Sequence, residues 1–589
     1  MPYSERVRKN LEFWTKDSYF DPETRAEILS LTDPREIEDR LARDLEFGTG
    51  GMRGKLGAGT NRMNVYVVRK LTQGLADAIL AEGGAAAKRG VVISCDSRRF
   101  SSEFARETAL VLGTNGIRAF LFDALRPTPE LSFAVRHLGA AAGVMVTASH
   151  NPKEYNGYKV YWSDGAQLAP EKAAAIADAI GAREDWRVPV RPEAELRAAG
   201  LLTDAGGEID AAYLAAVRAQ LLHPELAAAE GGKLSVVFTP LHGAGAVPVQ
   251  RVLALAGFSR VFTVPEQEKP DGDFPTVPVP NPEDGAAFAL ARRHGDEQNA
   301  DLLLATDPDS DRLGVCGRDS GGRWRLFTGN QAGVLLEYYI LSSRVDLGLL
   351  PADGRVIKSI VSSALAVKIA ESFGVACVET PVGFKFIGEQ IHLMEETGQG
   401  SFIFGFEESL GYLTGTYARD KDAVLAAALM AEAALYFKLR AGKTLTDVLE
   451  EIYGKWGYFL DDQVAYSFTD FDGAAKMDSV MRALRGDTRP ALGGVPVASR
   501  EDFAEGESRL ADGGTRALDF PRMNLLRFSL AGGGFVMARP SGTEPKIRFY
   551  FCVAGPDRAG AEAGLAAVRD DFFRPYAEVL TPGGKPFRK

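Results

Sequence analysis

The 589-residue chain has only four cysteines, Cys95, Cys316, Cys377 and Cys552. None forms a C-x-x-C pair and no histidine cluster joins them, which argues against a zinc site or a disulfide framework and fits a reducing cytosol. Long apolar runs are missing too. The longest, Ala423 to Ala431, stops at Glu432, too short to span a membrane. The N-terminal stretch from Met1 to Glu46 is rich in Arg, Asp and Glu and lacks the apolar core of a signal peptide. There is no basic excess: the net charge is −11 and the pI is near 5.4. That argues against non-specific nucleic-acid binding, which needs a basic footprint. An anionic ligand would require a local positive field, built by a few Arg and Lys in a cleft. The expectation is a cytoplasmic protein with neither nucleic acid nor membrane as partner.

Hydrophobic residues make up 46% and charged residues 25%, ordinary for a globular protein, and the length implies several domains. Residues 1–43 read as helices, with Asp21-Pro22 and Asp33-Pro34 as N-caps followed by proline. From about residue 44, short apolar strands alternate with amphipathic helices. The segments 90–94, 233–238 and 355–361 each resemble a buried strand leading into a polar turn. After residue 456 the pattern changes to strands joined by tight turns, then a helix over about 559–573. We therefore expect a helical extension (1–43), three comparable α/β domains with mixed, mostly parallel sheets (44–205, 206–323, 324–455) and a C-terminal α+β domain with an antiparallel sheet (456–589), set around a central cleft.

Four polar loops carry chemistry. Thr147-Ala148-Ser149-His150-Asn151-Pro152 follows an apolar strand and offers a nucleophile; Asn151, Pro152 and Glu154 suit the start of a helix, whose amides would favour a phosphate. A phosphoserine there would need only positioning and charge neutralisation. Downstream, Lys159 returns a cation to the same neighbourhood. Asp307, Asp309 and Asp311 alternate, so in an extended turn their carboxylates converge, a hard-oxygen set suited to Mg²⁺. An EF-hand is excluded because Arg312 and Arg318 stand where Gly and Glu are needed. Glu407 and Ser409 end a strand and suit vicinal hydroxyls. Ser541, Gly542 and Thr543 can aim amides and hydroxyls at an oxyanion, with Arg539, Lys546 and Arg548 adding charge. The glycine-rich run 48–56 is not a Walker loop, since Leu56 replaces its Ser/Thr, nor a dinucleotide fingerprint, since Arg53 takes the third glycine position.

These loops resemble, in order and through nearly the whole chain, the signatures of the α-D-phosphohexomutase superfamily. Supporting matches are Gly48 to Gly54, Cys95 to Arg98, Thr239 to Gly243, Thr380 to Lys385 and Arg419 to Asp422. The helical extension, Asp-Pro-Asp-Ser-Asp-Arg and Gly-Phe-Glu-Glu-Ser-Leu-Gly-Tyr are most similar to its phosphoglucomutase-2/phosphopentomutase branch. Pro308 and Ser310 replace glycine in the metal loop, and Leu410-Gly411-Tyr412 replaces the Gly-His found in many members. The resemblance implies an intramolecular phosphotransferase that interconverts glucose 1-phosphate and glucose 6-phosphate through phosphorylated Ser149 and a bound glucose 1,6-bisphosphate. Pentose or mannose phosphate is the alternative substrate. Mg²⁺ would be held by Asp307, Asp309, Asp311 and a Ser149 phosphate oxygen. Lys159, its pKa depressed by nearby cations, would be the general base, with His150 and Arg53 beside it and His242 a weaker candidate. Glu407 and Ser409 would read the sugar; Lys385, Arg539, Ser541, Gly542, Thr543 and Arg548 would hold its phosphate, delivered as the last domain closes and excludes water. A phosphatase, a sugar-bisphosphate synthase and a silent phosphosugar-binding relative are the rival readings.

Overall fold

The computed structural model describes residues 3–183, 185–468, 473–541, 546–580 and 587–588. The first sheet contains β1 (Met52–Lys55), β2 (Val91–Cys95), β3 (Ala119–Phe122), β4 (Ala142–Val146), β5 (Tyr155–Trp162) and β6 (Leu202–Ala205), in the order β1-β5-β4-β2-β3-β6. Its centre is parallel, whereas β5 runs antiparallel to both β4 and β1. The second contains β7 (Val236–Thr239), β8 (Val261–Thr263), β9 (Leu302–Thr306), β10 (Leu313–Arg318) and β11 (Trp324–Leu326), ordered β11-β10-β9-β7-β8. The third contains β12 (Gly354–Ser359), β13 (Ala376–Thr380), β14 (Ser401–Glu407) and β15 (Gly411–Leu413), ordered β13-β12-β14-β15. Helices pack on these sheets, so the chain has three α/β domains in series.

The three sheets share one feature that places the site. In each, a buried parallel strand turns directly into an antiparallel neighbour: β4 into β5, β9 into β10, β14 into β15. The serine, aspartate and glutamate loops are those three connections. The C-terminal domain repeats the arrangement in a fully antiparallel sheet. There β16 (Tyr458–Ser467) pairs with a strand over Lys546–Gly555, which pairs with one over Phe535–Pro540. Loop 541–545 joins these last two. A helix over Arg558–Phe573 covers one face of this sheet, while Phe535, Met537, Tyr550 and Cys552 on the other join the core of the third domain.

The helix expected to begin at Pro152 does not form. Residues 152–154 make a turn, Tyr155 N–H donates to the Pro152 carbonyl (3.1 Å), and β5 starts at once. The reason is tertiary. β5 is clasped on both edges, and Gly157 lies where a Cβ would stand 2.5 Å from the Thr147 carbonyl and 2.8 Å from that of Met52. Pairing this close outweighs a local capping signal.

The N-terminal helices Glu5–Lys16, Pro22–Leu29 and Pro34–Leu41 are capped by Ser4, Asp21 and Asp33. They dock on the helix Val65–Ala81 through Trp14, whose ring stacks on Phe20 (4.3 Å) and meets Tyr66 edge-on. Trp14→Ala should cost about 3–5 kcal/mol of local stability. Hydrogen exchange checks it: protection should fall across residues 5–41 and stay intact in β2 and β4.

Candidate active site

The serine loop is shaped by a buried arginine from the neighbouring strand. Arg98 Nη1 donates to the carbonyls of Pro152 (2.9 Å) and Tyr155 (3.0 Å); Nη2 donates to those of Ser149 (2.6 Å) and Asn151. One guanidinium thus gathers four carbonyls of a single turn, which its fixed fork of donors allows. Arg98 is paired with Asp96, both side chains fully buried. Asp96 also accepts from the Thr147 hydroxyl (2.6 Å), and Thr147 Oγ1 accepts from Ser149 N–H (2.8 Å). Ser149 is held in the left-handed region at φ 53°, a strained placement for a non-glycine residue that this network over-determines. Its Oγ is thereby aimed at the second domain.

There it donates to Asp307 Oδ2 at 2.8 Å and lies 3.1 Å from His150 Nδ1. Asp307, Asp309 and Asp311 offer oxygens within 4.8 Å of one another, and all three are buried. They converge through a tight turn instead of the extended run expected. Ser310 N–H donates to the Asp307 carbonyl (2.9 Å) and Ser310 takes φ 52°, while the N–H groups of Asp311 and Arg312 donate to Asp307 Oδ1. A tight turn brings the first and last aspartates together more closely than alternation along a strand.

The outer oxygens of this cluster are clamped from the other domains. Asp309 Oδ2 accepts from the Thr128 hydroxyl (2.9 Å) and from Lys159 Nζ (2.7 Å). Asp311 Oδ2 meets Lys159 Nζ (3.2 Å) and Lys421 Nζ (3.1 Å). By contrast, Asp309 Oδ1 and Asp311 Oδ1 are buried without hydrogen-bond partners. Two orphaned carboxylate oxygens beside a third carboxylate and a hydroxyl fit a hard divalent ion, because such groups are costly to bury alone. Burial and the two other aspartates push the Asp307 pKa well up. For Asp311, burial is outweighed by Lys159, Lys421 and Arg312, and its pKa is far below the usual range.

Lys159 corrects an expectation. Burial works against its charge, but Asp309 and Asp311 outweigh burial and its pKa is raised, not depressed. The groups that meet it are carboxylates, not arginines. Arg53 reaches the serine loop from β1, donating to Asn151 Oδ1 (2.9 Å). His242 spends its ring on Thr276 and on the Lys269 carbonyl, away from the serine.

Glu407, at the end of β14, accepts from Gly383 N–H (2.8 Å); burial raises its pKa to about 7, with Lys421 opposing. Ser409 follows it, half-buried, in the same connection. A cavity of about 490 Å³ lies between Thr49, Gly50 and Gln167 of the first domain, residues 381–386 of the third, and Arg522 and Arg539 of the last. Lys385 lines it. Burial lowers the Lys385 pKa to about 8, with Glu389 opposing and Arg539 adding to the shift. Arg539 stands directly opposite Arg548 in the strand register. Like charges so placed repel and favour an anion between them. Ser541 N–H donates to the Lys546 carbonyl (2.7 Å), bringing the ends of the loop together. Gly542 and Thr543 lie outside the described residues.

Arg98, Asp96, Thr147, Thr128 and Lys421 were not assigned roles from sequence. The available signal was a charged pair, Asp96 and Arg98, immediately after a mostly apolar strand.

Comparison with known proteins places the chain in a family. The profiles for alpha/beta/alpha domains I, II and III of phosphoglucomutase/phosphomannomutase match residues 44–186, 211–322 and 328–456. The phosphoglucomutase of Staphylococcus saprophyticus is 38% identical over 514 residues, covering 86% of this chain and 90% of that one. That of Staphylococcus aureus strain USA300 is 37% identical over 529 residues, covering 89% and 92%. In fold, the chain is similar to the open form of parafusin, a Paramecium phosphoglucomutase (TM-score 0.68, 18% identity, 92% and 97% covered). It is also similar to a phosphoglucomutase/phosphomannomutase family protein from Burkholderia thailandensis (TM-score 0.63, 19% identity, 92% and 98% covered). The chain belongs to the phosphoglucomutase/phosphomannomutase family, within the α-D-phosphohexomutase superfamily.

If Arg98 shapes the serine loop, Arg98→Lys, which cannot gather four carbonyls, should lower kcat about 100-fold. Steady-state kinetics checks it; an unchanged kcat would remove Arg98 from the account.

Proposed function

We infer that the chain is a phosphoglucomutase: it moves phosphate between α-D-glucose 1-phosphate and glucose 6-phosphate, with Ser149 as carrier and glucose 1,6-bisphosphate as bound intermediate. One observation carries the reading. The Ser149 hydroxyl stands 2.8 Å from a buried three-carboxylate cluster that has two orphaned oxygens, in a chain 38% identical to a phosphoglucomutase.

The first half-reaction begins with the phosphoryl group on Ser149 Oγ. The sugar 6-hydroxyl oxygen forms a bond to phosphorus as the Oγ–phosphorus bond breaks, and Oγ leaves with the electron pair into the space beside Asp307. Asp307, Asp309 and Asp311 would hold Mg²⁺ with a phosphoserine oxygen, and that ion would supply charge withdrawal from the transferring group. Lys159, in its neutral form, would receive the hydroxyl proton, with His150 and Arg53 bordering the same loop. The bisphosphate turns end for end, and its other phosphoryl group returns to Ser149 by the reverse bond changes. Glu407 and Ser409 read the O3 and O4 hydroxyls. Lys385, Arg539, Ser541, Gly542, Thr543 and Arg548 hold whichever phosphate is not reacting, a task that suits amides and flexible cations. Closure of the last domain keeps water from the phosphoserine. Four unpaired cysteines, three of them buried, support a cytoplasmic setting.

Intact-mass analysis tests the reading. The purified protein should carry one phosphoryl group, lost on adding glucose 1-phosphate without stoichiometric release of inorganic phosphate. Ser149→Ala should lack it and lose turnover. Free phosphate would favour a phosphatase, and dependence on an acyl phosphate a bisphosphate synthase; a faster coupled assay with ribose or mannose 1-phosphate would move the substrate. A pH dependence also follows from Lys385. It is charged below its pKa of about 8 and loses that charge above it. The KM for glucose 1-phosphate should therefore rise as pH rises through about 8, and Lys385→Arg should flatten the rise.

A further inference from the structure

The segment Arg419–Asp422, just before the long helix Ala423–Ala441, is buried throughout and is tied to several parts of the molecule. Arg419 N–H donates to Ser132 Oγ (2.8 Å) in the first domain. Asp420 Oδ2 accepts from Tyr161 (2.7 Å) and Gln167 (2.8 Å), also in the first domain. Asp422 accepts from Tyr213 (2.9 Å) and Tyr417 (2.6 Å) and caps the helix through Leu425 N–H. Ala423 N–H donates to the carbonyl of Ser310 (3.2 Å) inside the aspartate loop. Lys421 completes the set. Its Nζ lies 3.1 Å from both Asp311 Oδ2 and Asp420 Oδ1.

Two details give Lys421 a specific task. By binding Asp311 Oδ2 it fixes that carboxylate, whose Oδ1 is buried without a hydrogen bond. Its stem crosses the sugar loop at Gly411, where a Cβ would stand 2.1 Å from Lys421 Cδ. No residue other than glycine leaves that path open.

We propose that Lys421 is a positioning residue for the transfer reaction, a fixed positive charge that holds the Asp311 carboxylate in place for a divalent ion. Gly411 is its partner, leaving room for the stem. The proposal rests on the reading, given above, that the three aspartates hold Mg²⁺.

The test uses the full-length, dephosphorylated protein and Mg²⁺ alone. Lys421→Met should weaken Mg²⁺ binding at least ~10-fold by calorimetry, because Asp311 loses the cation that fixes its carboxylate. A mere repulsive charge predicts the opposite sign, since its removal would tighten binding. Unchanged or tighter binding overturns the proposal. Gly411→Ala keeps the lysine but displaces its stem, and should weaken Mg²⁺ in the same direction; it carries the test if Lys421→Met does not fold, and binding within ~2-fold of the parent overturns the proposal there too. A parent protein that binds no Mg²⁺ would instead withdraw the reading of the aspartates as a metal site.

Discussion

Three carboxylates packed out of water are the constraint around which this molecule is arranged. Asp307, Asp309 and Asp311 are buried, and each offers an oxygen within 4.8 Å of those of the other two. Burying one such charge unpaired costs several kcal/mol, and three together repel. The chain answers with cations and donors from separate domains: Thr128 and Lys159 from the first, Arg312 beside the loop itself, and Lys421 from the third. Each clamps an outer oxygen or offsets charge. Asp309 Oδ1 and Asp311 Oδ1 are left buried without hydrogen bonds.

The same topological position is used repeatedly to bring chemistry together. A parallel strand that turns straight into an antiparallel neighbour ends in a short, rigid connection at the carboxyl edge of its sheet. The serine, aspartate and glutamate loops all occupy it. Short connections hold their residues closely, so the serine can stand in a left-handed conformation and still meet Asp307 at 2.8 Å. Arg98 stiffens the longest of them. The cavity lined by Lys385 and Arg539 is bounded by the first, third and last domains, so its size depends on how the last domain sits.

Much of this was legible in the sequence, because local patterns carry it. Apolar runs marked the strands before each loop, Asp-Pro pairs marked the first helices, and the aspartates were visible as a ligand set. What escaped were features set by contacts distant along the chain. Asn151-Pro152 signals a helix start locally, yet β1 pairs with β5 from about a hundred residues away and imposes a turn and strand. Lys159 appeared free to lose its proton, and only the folded structure shows the two carboxylates that oppose this. Lys421 could not be tied to Asp311, because its neighbours in sequence say nothing of the stem that crosses Gly411.

The central claim is that the Ser149 oxygen and the three aspartates make one coordination shell. Electron–nuclear double resonance of the phosphorylated protein loaded with Mn²⁺ in place of Mg²⁺ tests it most directly. The account predicts a phosphorus-31 coupling of the size expected for a directly bound phosphoserine oxygen, abolished together with the phosphoryl group in Ser149→Ala. Manganese bound with no phosphorus coupling would contradict it.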